Sequence, residues 1–344
     1  MNLDQTIGDL KIGVVGAGSW GTALANLLAD KGYPIDWWVF EKDVCGQIRD
    51  NRENPVFMPG VTLSENLRPT NDLAAVVSGK ELVLIVVPSH VMRTVAKNMA
   101  PHLLPTAVVV SASKGIENET LLTMSSVLKD AIAGFQDDRF SVLSGPSFAR
   151  EVIQKHPTVV TAASRNLDCA RKVQHTFATP VFRVYTHDDV MGVELGGSVK
   201  NVIAIAAGMI DGLGMGLNTR AALITRGMTE IRRLGVALGA NPRTFTGLAG
   251  MGDLVLTCTG SVSRNHTVGF KIGQGMTLDQ VLKDMRMVAE GVKTARSVHN
   301  LSLRWNVEMP ISRAIYQILY EGLSPRDATY QLMTRDLKDE LDQA

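Results

Sequence analysis

Apolar residues in the first half of the chain occur in short, nearly continuous runs, and segments with helical spacing lie between them. Runs of this kind are typical of strands that are buried on both faces of a parallel sheet. The predicted strands cover residues 11–15, 35–40, 81–87, 107–112, 140–145, 158–163 and 181–186. The helical patterns include 91–100, 121–133 and 167–177. This alternation predicts an α/β fold with a mostly parallel, doubly wound sheet, whose ligands bind at the carboxyl ends of the strands.

The pattern changes near residue 190, after which one helical pattern follows another. The predicted helices cover residues 193–211, 221–235, 267–273, 278–285, 294–305, 311–321 and 325–332. The chain has no repeat of fixed period, no low-complexity tract and no flexible linker. We therefore predict an α/β domain over 1–190 and an all-α C-terminal domain over 191–344, with a ligand cleft between them.

The first predicted strand runs directly into the sequence GAGSWG, residues 16–21, which opens a helical segment. The second strand is closed by Glu41, which follows Gly21 by 20 residues. In such a unit Gly16 permits a tight turn, Gly18 lets the backbone approach a pyrophosphate, and Gly21 lets helix and strand pack closely. The pyrophosphate then meets free N–H groups at the start of the helix. The segment predicts a Rossmann-like, dinucleotide-binding domain.

Side chains near this loop bear on the choice of cofactor. Glu41 can accept a hydrogen bond from a ribose 2′-OH and would repel a 2′-phosphate. Lys42 is adjacent and would soften that repulsion. The sequence favours NAD slightly over NADP, and both stay open. Trp20 is expected to pack beside the cofactor, with a place in the core as the alternative.

Composition and charge narrow the class of protein. Of 344 residues, 45% are hydrophobic and 20% are charged, which is a normal globular balance. The net charge of +1 gives no argument for a nucleic-acid or anionic-membrane partner. The three cysteines are far apart and odd in number, which favours a reducing compartment over a disulfide framework. The N-terminus predicts no cleaved signal, and the apolar runs 82–87 and 202–210 are too short for a bilayer. We expect a soluble, cytoplasmic protein.

Lys200 lies in the sequence GVELGGSVKNVIAIAAG, residues 192–208, where its neighbours are mostly apolar or small. One interpretation is that its side chain extends along the helix to reach solvent. The other is that desolvation, or a second cation, lowers its pKa from about 10.4 toward the working pH, so that the lysine acts as an acid or base. Lys114, in the strand-end loop SASKGIE, is a candidate for that second cation.

Two later segments carry further polar groups. Asp253 lies in GLAGMGDLVLTCTG, where it is either a site carboxylate or a helix cap or turn residue. The sequence SRN, residues 263–265, sets a hydroxyl, a guanidinium and an amide at the start of a helix. Such a start suits a phosphate, and an exposed cap with a solvated arginine is the alternative. The seven histidines show no metal-ligand spacing, and hydride transfer to a nicotinamide needs no metal, so no metal is expected.

The order of these segments carries a resemblance. The chain contains GAGSWGTALA, VPSH, SASKGIE, LSGPSFA, GVELGGSVKNVIAIAAGM, TRAALITRG, GLAGMGDLVLTCTG, SRN and VAEG, in that order. Together they resemble the NAD(P)-dependent glycerol-3-phosphate dehydrogenase family, closest to its bacterial-type members, from residue 11 to about residue 330. The resemblance implies reversible hydride transfer between a nicotinamide and C2 of sn-glycerol 3-phosphate or dihydroxyacetone phosphate. It also implies a supply of backbones for glycerophospholipids, and a homodimer.

The resemblance assigns roles to individual positions. It implies that Lys200 accepts the proton of the alcohol and returns it to the ketone, with Lys114 and Asp253 as the other catalytic residues. Phe40 stands where relatives often have a polar or basic residue, which again leaves NAD against NADP open. The predicted substrate contacts are Lys114, Gly145, Ser147, Lys200, Asn201, Asp253, Ser263, Arg264 and Asn265. The predicted cofactor contacts are Gly16, Gly18, Ser19, Trp20, Gly21, Phe40, Glu41, Lys114, Ala149, Arg264, Val288 and Glu290.

Two other functions were weighed. A β-hydroxyacid or 6-phosphogluconate-type dehydrogenase could share the dinucleotide-binding domain and a helix lysine, but SRN and GLAGMGD fit the glycerol phosphate family better. A catalytically silent dinucleotide-binding sensor is the second alternative. The presence of Lys200, Lys114 and Asp253 together argues against that sensor.

Overall fold

The first part of the chain forms one eight-stranded sheet. The computed structural model describes residues 10–260, 262–283, 285 and 289–340. The strands are β1 (Ile12–Val15), β2 (Ile35–Trp38), β3 (Leu67–Thr70), β4 (Leu82–Ile85), β5 (Val108–Ser111), β6 (Phe140–Ser144), β7 (Thr158–Ala163) and β8 (Phe182–His187). Their order is β3-β2-β1-β4-β5-β6-β7-β8, and every neighbouring pair is parallel except β6 and β7. This confirms the predicted doubly wound α/β fold.

Helices cover both faces of the sheet. They are α1 (Ser19–Asp30), α2 (Lys42–Asn51), α3 (Leu73–Val77), α4 (Met92–Met99), α5 (Met124–Ala131), α6 (Ala149–Ile153) and α7 (Leu167–Phe177). Successive residues of a central strand enter different cores, so that Val14 and Leu84 pack on one side and Val15 and Val83 on the other. This double burial explains why the strands read as continuous apolar runs.

The strand order places the ligand crevice. β1 pairs with β2 on one side and with β4 on the other. The chain therefore leaves β1 in one direction and returns, after β3, on its opposite side. In doubly wound sheets such a reversal opens a crevice at the carboxyl ends of the two strands, which here are β1 and β4.

The second part of the chain is helical in every described element. These helices are α8 (Val190–Gly212), α9 (Leu217–Ala237), a π-helical segment (Leu248–Gly252), α10 (Asp253–Thr259), α11 (Arg264–Gly273), α12 (Leu278–Lys283), α13 (Glu290–Arg304), α14 (Pro310–Tyr320) and α15 (Pro325–Met333). Helix α8 forms their centre and packs against α9, α10, α11, α13 and α14. Among the described helices, α8 alone is long and apolar enough to cross a membrane, and its apolar stretch is wholly buried within the protein.

Three local features differ from the prediction. Strand β2 ends at Trp38, so that Phe40 lies two residues beyond it. Strand β3 was not predicted, because its sequence LRPT contains a proline and it pairs with a neighbour on one side only. Helix α10 was not predicted either, because it is seven residues long and follows a glycine-rich segment.

Candidate active site

The three glycines of the loop between β1 and α1 meet three different spatial constraints. Gly16 has a φ of +114°, and a Cβ there would lie 2.3 Å from the carbonyl oxygen of Val86. A Cβ on Gly21 would lie 2.3 Å from the carbonyl oxygen of Gly16. At Gly18, by contrast, no described atom lies within 4 Å of a Cβ position. The open space at Gly18 and the free N–H groups of the first turn of α1 fit a pyrophosphate.

Hydrogen bonds from neighbouring elements fix this loop. The indole Nε1 of Trp37 donates to the carbonyl oxygen of Gly16 over 3.0 Å. The amide Nδ2 of Asn54 donates to the carbonyl oxygen of Ala17 over 2.9 Å and to the hydroxyl of Thr22 over 2.9 Å. The backbone that faces the predicted pyrophosphate is thus held in place by the fold itself.

Two predicted cofactor residues in the loop make contacts within the protein. The Ser19 hydroxyl donates to the carbonyl oxygen of Phe57 over 2.8 Å. The Trp20 ring is half-buried and packs against the core beneath α1. Its indole N–H is buried and has no hydrogen-bond partner among the described residues. The structure therefore places Trp20 at the edge of the core beside the glycine loop. This position is compatible both with a role in the core and with packing beside the cofactor.

The predicted adenosine end of the site lies at the start of α2. Phe40 is 73% exposed, and its ring meets that of Trp38 edge-on with 5.9 Å between centroids. Glu41 caps the helix by position, but its side chain makes no capping hydrogen bond. Lys42 is exposed beside it. The predicted cofactor residue Val288 lies outside the described residues.

The edge of the crevice is continuous from the glycine loop toward the second part of the chain. The loop after β4 touches Gly16 through Val86, and its Ser89 hydroxyl donates to Glu290 Oε2 over 2.6 Å. A Cβ on Gly115 would lie 2.4 Å from the Ser89 Cβ, so the loop that carries Lys114 packs directly on Ser89. Burial raises the pKa of Glu290, and the bond from Ser89 opposes that rise. Glu290 therefore lies where α13 meets the dinucleotide-binding crevice.

Lys200, Asp253 and Lys114 form one cluster at the junction of the two parts. The Lys200 ammonium pairs with Asp253 Oδ1 and donates to the Thr257 hydroxyl over 2.7 Å. The Lys114 ammonium pairs with the other carboxylate oxygen, Oδ2, over 2.7 Å. Lys200 is 5% exposed and Asp253 1% exposed. The structure thus brings the three predicted catalytic residues into direct contact, and Lys200 does not extend to solvent.

Burial and charge set the protonation of Lys200. Desolvation and the positive charge of Lys114 lower the pKa of Lys200, Asp253 opposes both, and the net result is a pKa of about 7. Since Asp253 is shared by two ammonium groups, the cluster has an excess of positive charge when both lysines are protonated. Near neutral pH Lys200 can therefore give or take a proton, in surroundings that favour an anion.

The second part of the chain also holds the Lys114 loop in place. The backbone N–H of Gly115 donates to the Ser198 hydroxyl of α8 over 2.8 Å. The Ser297 hydroxyl of α13 donates to the carbonyl oxygen of Ile116 over 2.9 Å. Lys114 thus lies in a loop that follows strand β5, but helices α8 and α13 hold that loop in place.

The turn between β6 and α6 carries three more predicted residues. Gly145 has a φ of +153°, and its carbonyl oxygen accepts a 3.0 Å hydrogen bond from the Ser147 hydroxyl. Ser144 lies over α8, where a Cβ on Gly197 would be 2.6 Å from its hydroxyl oxygen. Ala149 is the first residue of α6. The segment LSGPSFA therefore lies against the helix that carries Lys200.

Asn201 and Asn265 join α8, α11 and α13. The amide Nδ2 of Asn265 donates to Asn201 Oδ1 over 2.9 Å, and Asn265 Oδ1 accepts from the backbone N–H of Gly291 over 2.9 Å. Asn201 follows Lys200 directly. The beginning of α11 is therefore held beside Lys200.

The start of α11 presents a positive end. Ser263 caps the helix by accepting a 3.3 Å hydrogen bond from the backbone N–H of His266. Arg264 is the first helical residue and is exposed. Partial desolvation lowers the pKa of Arg264, and the charge of Glu290 opposes the change. A guanidinium at a helix N-terminus is a combination that suits a phosphate.

Three site residues were missed by the reasoning from sequence. Thr257 contacts Lys200 and lies four residues after Asp253, a spacing that puts both on one face of α10. Ser198 and Ser89 hold the Lys114 loop and Glu290. Thr257 would have been found if α10 had been recognised as a helix, whereas the sequence gives no signal for the two serine contacts.

Within the described ranges no group of three or more histidine, cysteine, aspartate or glutamate side chains could hold a metal ion. The three cysteines are free thiols and are all buried.

Comparison with known proteins gives concordant matches. Models of the N-terminal and C-terminal parts of NAD-dependent glycerol-3-phosphate dehydrogenase match residues 11–170 and 189–330. A glycerol-3-phosphate dehydrogenase [NAD(P)+] from Syntrophobacter fumaroxidans is 56% identical over 96% of this chain and 97% of its own. One from Citrifermentans bemidjiense is 57% identical over 96% and 98%. The crystal structure of glycerol-3-phosphate dehydrogenase from Coxiella burnetii is 38% identical and covers 96% of this chain and 100% of its own, with a TM-score of 0.92.

Proposed function

The chain belongs to the NAD-dependent glycerol-3-phosphate dehydrogenase family, and from that premise we propose that it interconverts dihydroxyacetone phosphate and sn-glycerol 3-phosphate with NAD(P) as cofactor. The observation that carries the proposal is the buried cluster in which Lys200 and Lys114 share Asp253. A bound nicotinamide supplies the hydride acceptor or donor for this chemistry.

Lys200 moves the proton. When the secondary alcohol is oxidised, neutral Lys200 accepts the hydroxyl proton, and when the ketone is reduced, protonated Lys200 returns it. A pKa of about 7 makes both forms available near neutral pH. Asp253 holds the Lys200 ammonium in one orientation, and Thr257 accepts a further hydrogen bond from it. Lys114 adds positive charge that stabilises the oxygen on which negative charge develops.

Arg264 and the start of α11 anchor the phosphate. The guanidinium and the free N–H groups of the first helical turn offer charge-assisted donors to a dianion. The Asn265–Asn201 hydrogen bond ties this anchor to α8, one residue from Lys200. Binding energy at the phosphate would therefore orient C2 at the catalytic cluster.

The glycine loop holds the cofactor. Its fixed backbone and the open space at Gly18 suit the pyrophosphate, while Glu41 and Phe40 lie at the adenosine end. Glu41 favours a ribose with a free 2′-OH, which is that of NAD, and Lys42 reduces the preference. We propose that NAD is used with a modest advantage over NADP.

The wider role follows from the same reaction. We propose that the enzyme is a cytoplasmic homodimer whose product enters glycerophospholipid synthesis. The buried, reduced cysteines are compatible with a reducing compartment. Size-exclusion chromatography with light scattering of the purified protein measures its assembly directly.

The test uses purified wild-type protein and follows absorbance of NADH, and separately of NADPH, on addition of dihydroxyacetone phosphate. We expect oxidation of both, faster with NADH. Carboxylated hydroxy acids are tested in parallel and in competition, because a β-hydroxyacid dehydrogenase would prefer them. Turnover of those acids without turnover of the triose would overturn the proposal, and so would cofactor binding without turnover of any phosphorylated triose.

A further inference from the structure

A second polar cluster begins two residues along α11 from the predicted phosphate anchor. The His266 ring Nε2 lies 2.7 Å from Asp211 Oδ2. The other carboxylate oxygen, Oδ1, accepts from Arg220 Nε over 3.1 Å and from Arg220 Nη2 over 2.6 Å. The side chains are mostly buried, with exposed fractions of 15% for His266, 13% for Asp211 and 28% for Arg220. The cluster joins α11 to the end of α8 and the beginning of α9.

The helices that it joins are packed backbone to backbone. A Cβ on Gly208 of α8 would lie 2.0 Å from the His266 carbonyl oxygen, and one on Gly269 of α11 would lie 1.9 Å from the Ile205 carbonyl oxygen. Glycine surfaces of this kind fix the distance between two helices. The rotation of α11 about its own axis is then set by side chains: Asn265 bonds to Asn201 of α8 on one side, and the His266 contact adds a second tie to α8.

Rotation of α11 about its axis would change the direction of the Arg264 side chain. Two residues along a helix are separated by about 200° around its axis, so Arg264 and His266 point in nearly opposite directions. His266 faces α8, on the same side as Gly269, while the exposed Arg264 lies within reach of the charge of Glu290. A bond that holds His266 in place therefore also sets the direction of Arg264.

We propose that His266 is a positioning residue for the phosphate anchor: its bond to Asp211, which Arg220 holds in turn, fixes the rotation of α11 together with the Asn265–Asn201 bond and aims Arg264 at the substrate phosphate. The inference rests on the proposed function, because it assumes that Arg264 binds that phosphate. A carboxylate accepts hydrogen bonds, so the His266 Nε2 carries the proton in this contact. Both the neutral and the charged ring can donate in this way.

The test compares His266→Ala and His266→Gln with wild-type enzyme. In the alanine variant we expect the KM for dihydroxyacetone phosphate to rise about tenfold, because a misdirected anchor loses substrate affinity. The kcat at saturating substrate should stay within about twofold, since Lys200 is untouched. Glutamine presents an amide N–H near the position of the imidazole Nε2, and so His266→Gln should restore the KM to within about threefold of wild type.

His175→Ala is the matched control, because His175 is an exposed helical histidine on α7. We expect it to leave every parameter unchanged. An unchanged KM in His266→Ala would overturn the proposal. So would an equal fall in kcat for both His266 variants, which would indicate general disruption of the fold.

A second readout separates this inference from the proposed function. The affinity for inorganic phosphate, measured by titration calorimetry, should be about tenfold weaker in His266→Ala than in wild type. Wild-type turnover of the triose phosphate tests the function, whereas the phosphate affinity tests the anchor. If wild-type enzyme does not turn over the triose phosphate but His266→Ala binds phosphate more weakly, the proposed function fails and the positioning role of His266 stands. Equal phosphate affinities of wild type and His266→Ala contradict the positioning role.

Discussion

Burial and a neighbouring negative charge have opposite effects on the pKa of Lys200. It lies inside α8 with 5% exposure, yet it carries an amine that must change protonation. Desolvation lowers its pKa from 10.5 to about 7, and Asp253 limits the fall. A lysine without Asp253 would lose its charge more completely, and one without burial would stay protonated throughout the neutral range. The two opposing effects together make it usable in both directions of the reaction.

The pH dependence of activity follows from this pKa. Oxidation of glycerol 3-phosphate needs neutral Lys200, so its kcat/KM should rise with pH and level off above about pH 7. Reduction of dihydroxyacetone phosphate needs the protonated form, so its kcat/KM should fall about tenfold per unit above the same pH. A dianionic substrate stabilises the Lys200 ammonium. The apparent pKa in the pH profile of kcat should therefore be higher than that in the profile of kcat/KM. A reduction rate that stays constant up to pH 10 would contradict the lowered pKa.

Removal of Arg264 should weaken substrate binding selectively. For Arg264→Ala we expect the KM for dihydroxyacetone phosphate to rise about 30-fold, which corresponds to the loss of about 2 kcal/mol of charge-assisted hydrogen bonding. Arg326→Ala on α15, where the arginine is exposed, serves as the control and should have no effect. Steady-state kinetics at fixed NADH give both constants. An unchanged KM would remove Arg264 as the phosphate anchor.

For single residues, the sequence predicted which side chains belong to the candidate site better than it predicted which of them contact each other. Lys200, Lys114 and Asp253 were all predicted, but Asp253 is 53 residues from Lys200 and 139 from Lys114, and no local pattern shows that one carboxylate serves both. Such pairing is a product of how the helices pack around α8. Thr257 was missed for the related reason that it acts only through its place on α10.

Among the elements, α8 and α11 determine the geometry of the site. α8 carries Lys200 and Asn201, and α11 carries Arg264 and Asn265. Glycines at the crossing, including Gly208 and Gly269, let the two backbones approach more closely than any side chain would allow. This close approach keeps α11, which carries the proposed phosphate anchor, next to α8, which carries the proposed catalytic amine.

An added methyl group at the crossing should separate the two helices. In Gly269→Ala the new Cβ would lie 1.9 Å from the Ile205 carbonyl oxygen, which is backbone and cannot rotate away. We expect the free energy of unfolding to fall by about 3 kcal/mol, with loss of activity, because overpacking of this kind forces the backbone to shift. Chemical denaturation measures the change.

Gly46→Ala provides the matched control for that substitution. Gly46 lies inside α2, and the nearest atom to its Cβ position is a flexible guanidinium nitrogen 3.9 Å away. The same change there should raise the free energy of unfolding by about 0.5 to 1 kcal/mol, because alanine favours helix. Equal effects at Gly46 and Gly269 would show that the crossing is not tight.

Helices and strands with a clear apolar pattern were predicted from the sequence. Elements whose formation depends on packing against other segments were not. The buried strands and the long helices α8, α9 and α13 follow directly from their apolar patterns. β3 has a sequence that a strand tolerates only at the edge of a sheet, so its existence depends on β2. The π-helical segment before α10 is equally a result of packing, since a Cβ on Gly250 would lie 2.2 Å from the Phe245 carbonyl oxygen.

Across the whole molecule, hydrogen bonds tie the sheet to the helices on both sides of the site. Ser89 bonds to Glu290, Gly115 to Ser198, and Ser125 to Glu194. Each bond joins a loop or helix start of the first part to a helix of the second. The sequence predicted two domains with a cleft between them, but it could not predict these bonds, because each depends on the relative placement of distant segments. That division into domains itself stays a prediction.

The Glu194 contact offers a test of this coupling. Glu194 is 5% exposed on α8 and accepts from both the backbone N–H and the hydroxyl of Ser125 at the start of α5. In Glu194→Ala two half-buried donors lose their buried partner, and we expect the free energy of unfolding to fall by about 2 kcal/mol. Glu194→Gln keeps an acceptor and a donor in reach and should lose less than half as much. Equal stability of the alanine variant and the wild type would show that the contact does not couple the two parts.

The central claim is that Lys200 transfers the proton in a glycerol-3-phosphate dehydrogenase, and turnover by Lys200→Ala measures it most directly. We would follow NADH oxidation with dihydroxyacetone phosphate in wild type, in Lys200→Ala and in Lys97→Ala, whose lysine is exposed on α4. We expect Lys200→Ala to lose at least about a thousandfold in kcat. Its Kd for NADH, measured by fluorescence, should stay within about threefold of wild type, because the glycine loop is distant from the change. Turnover by Lys200→Ala close to that of wild type would contradict the role of Lys200.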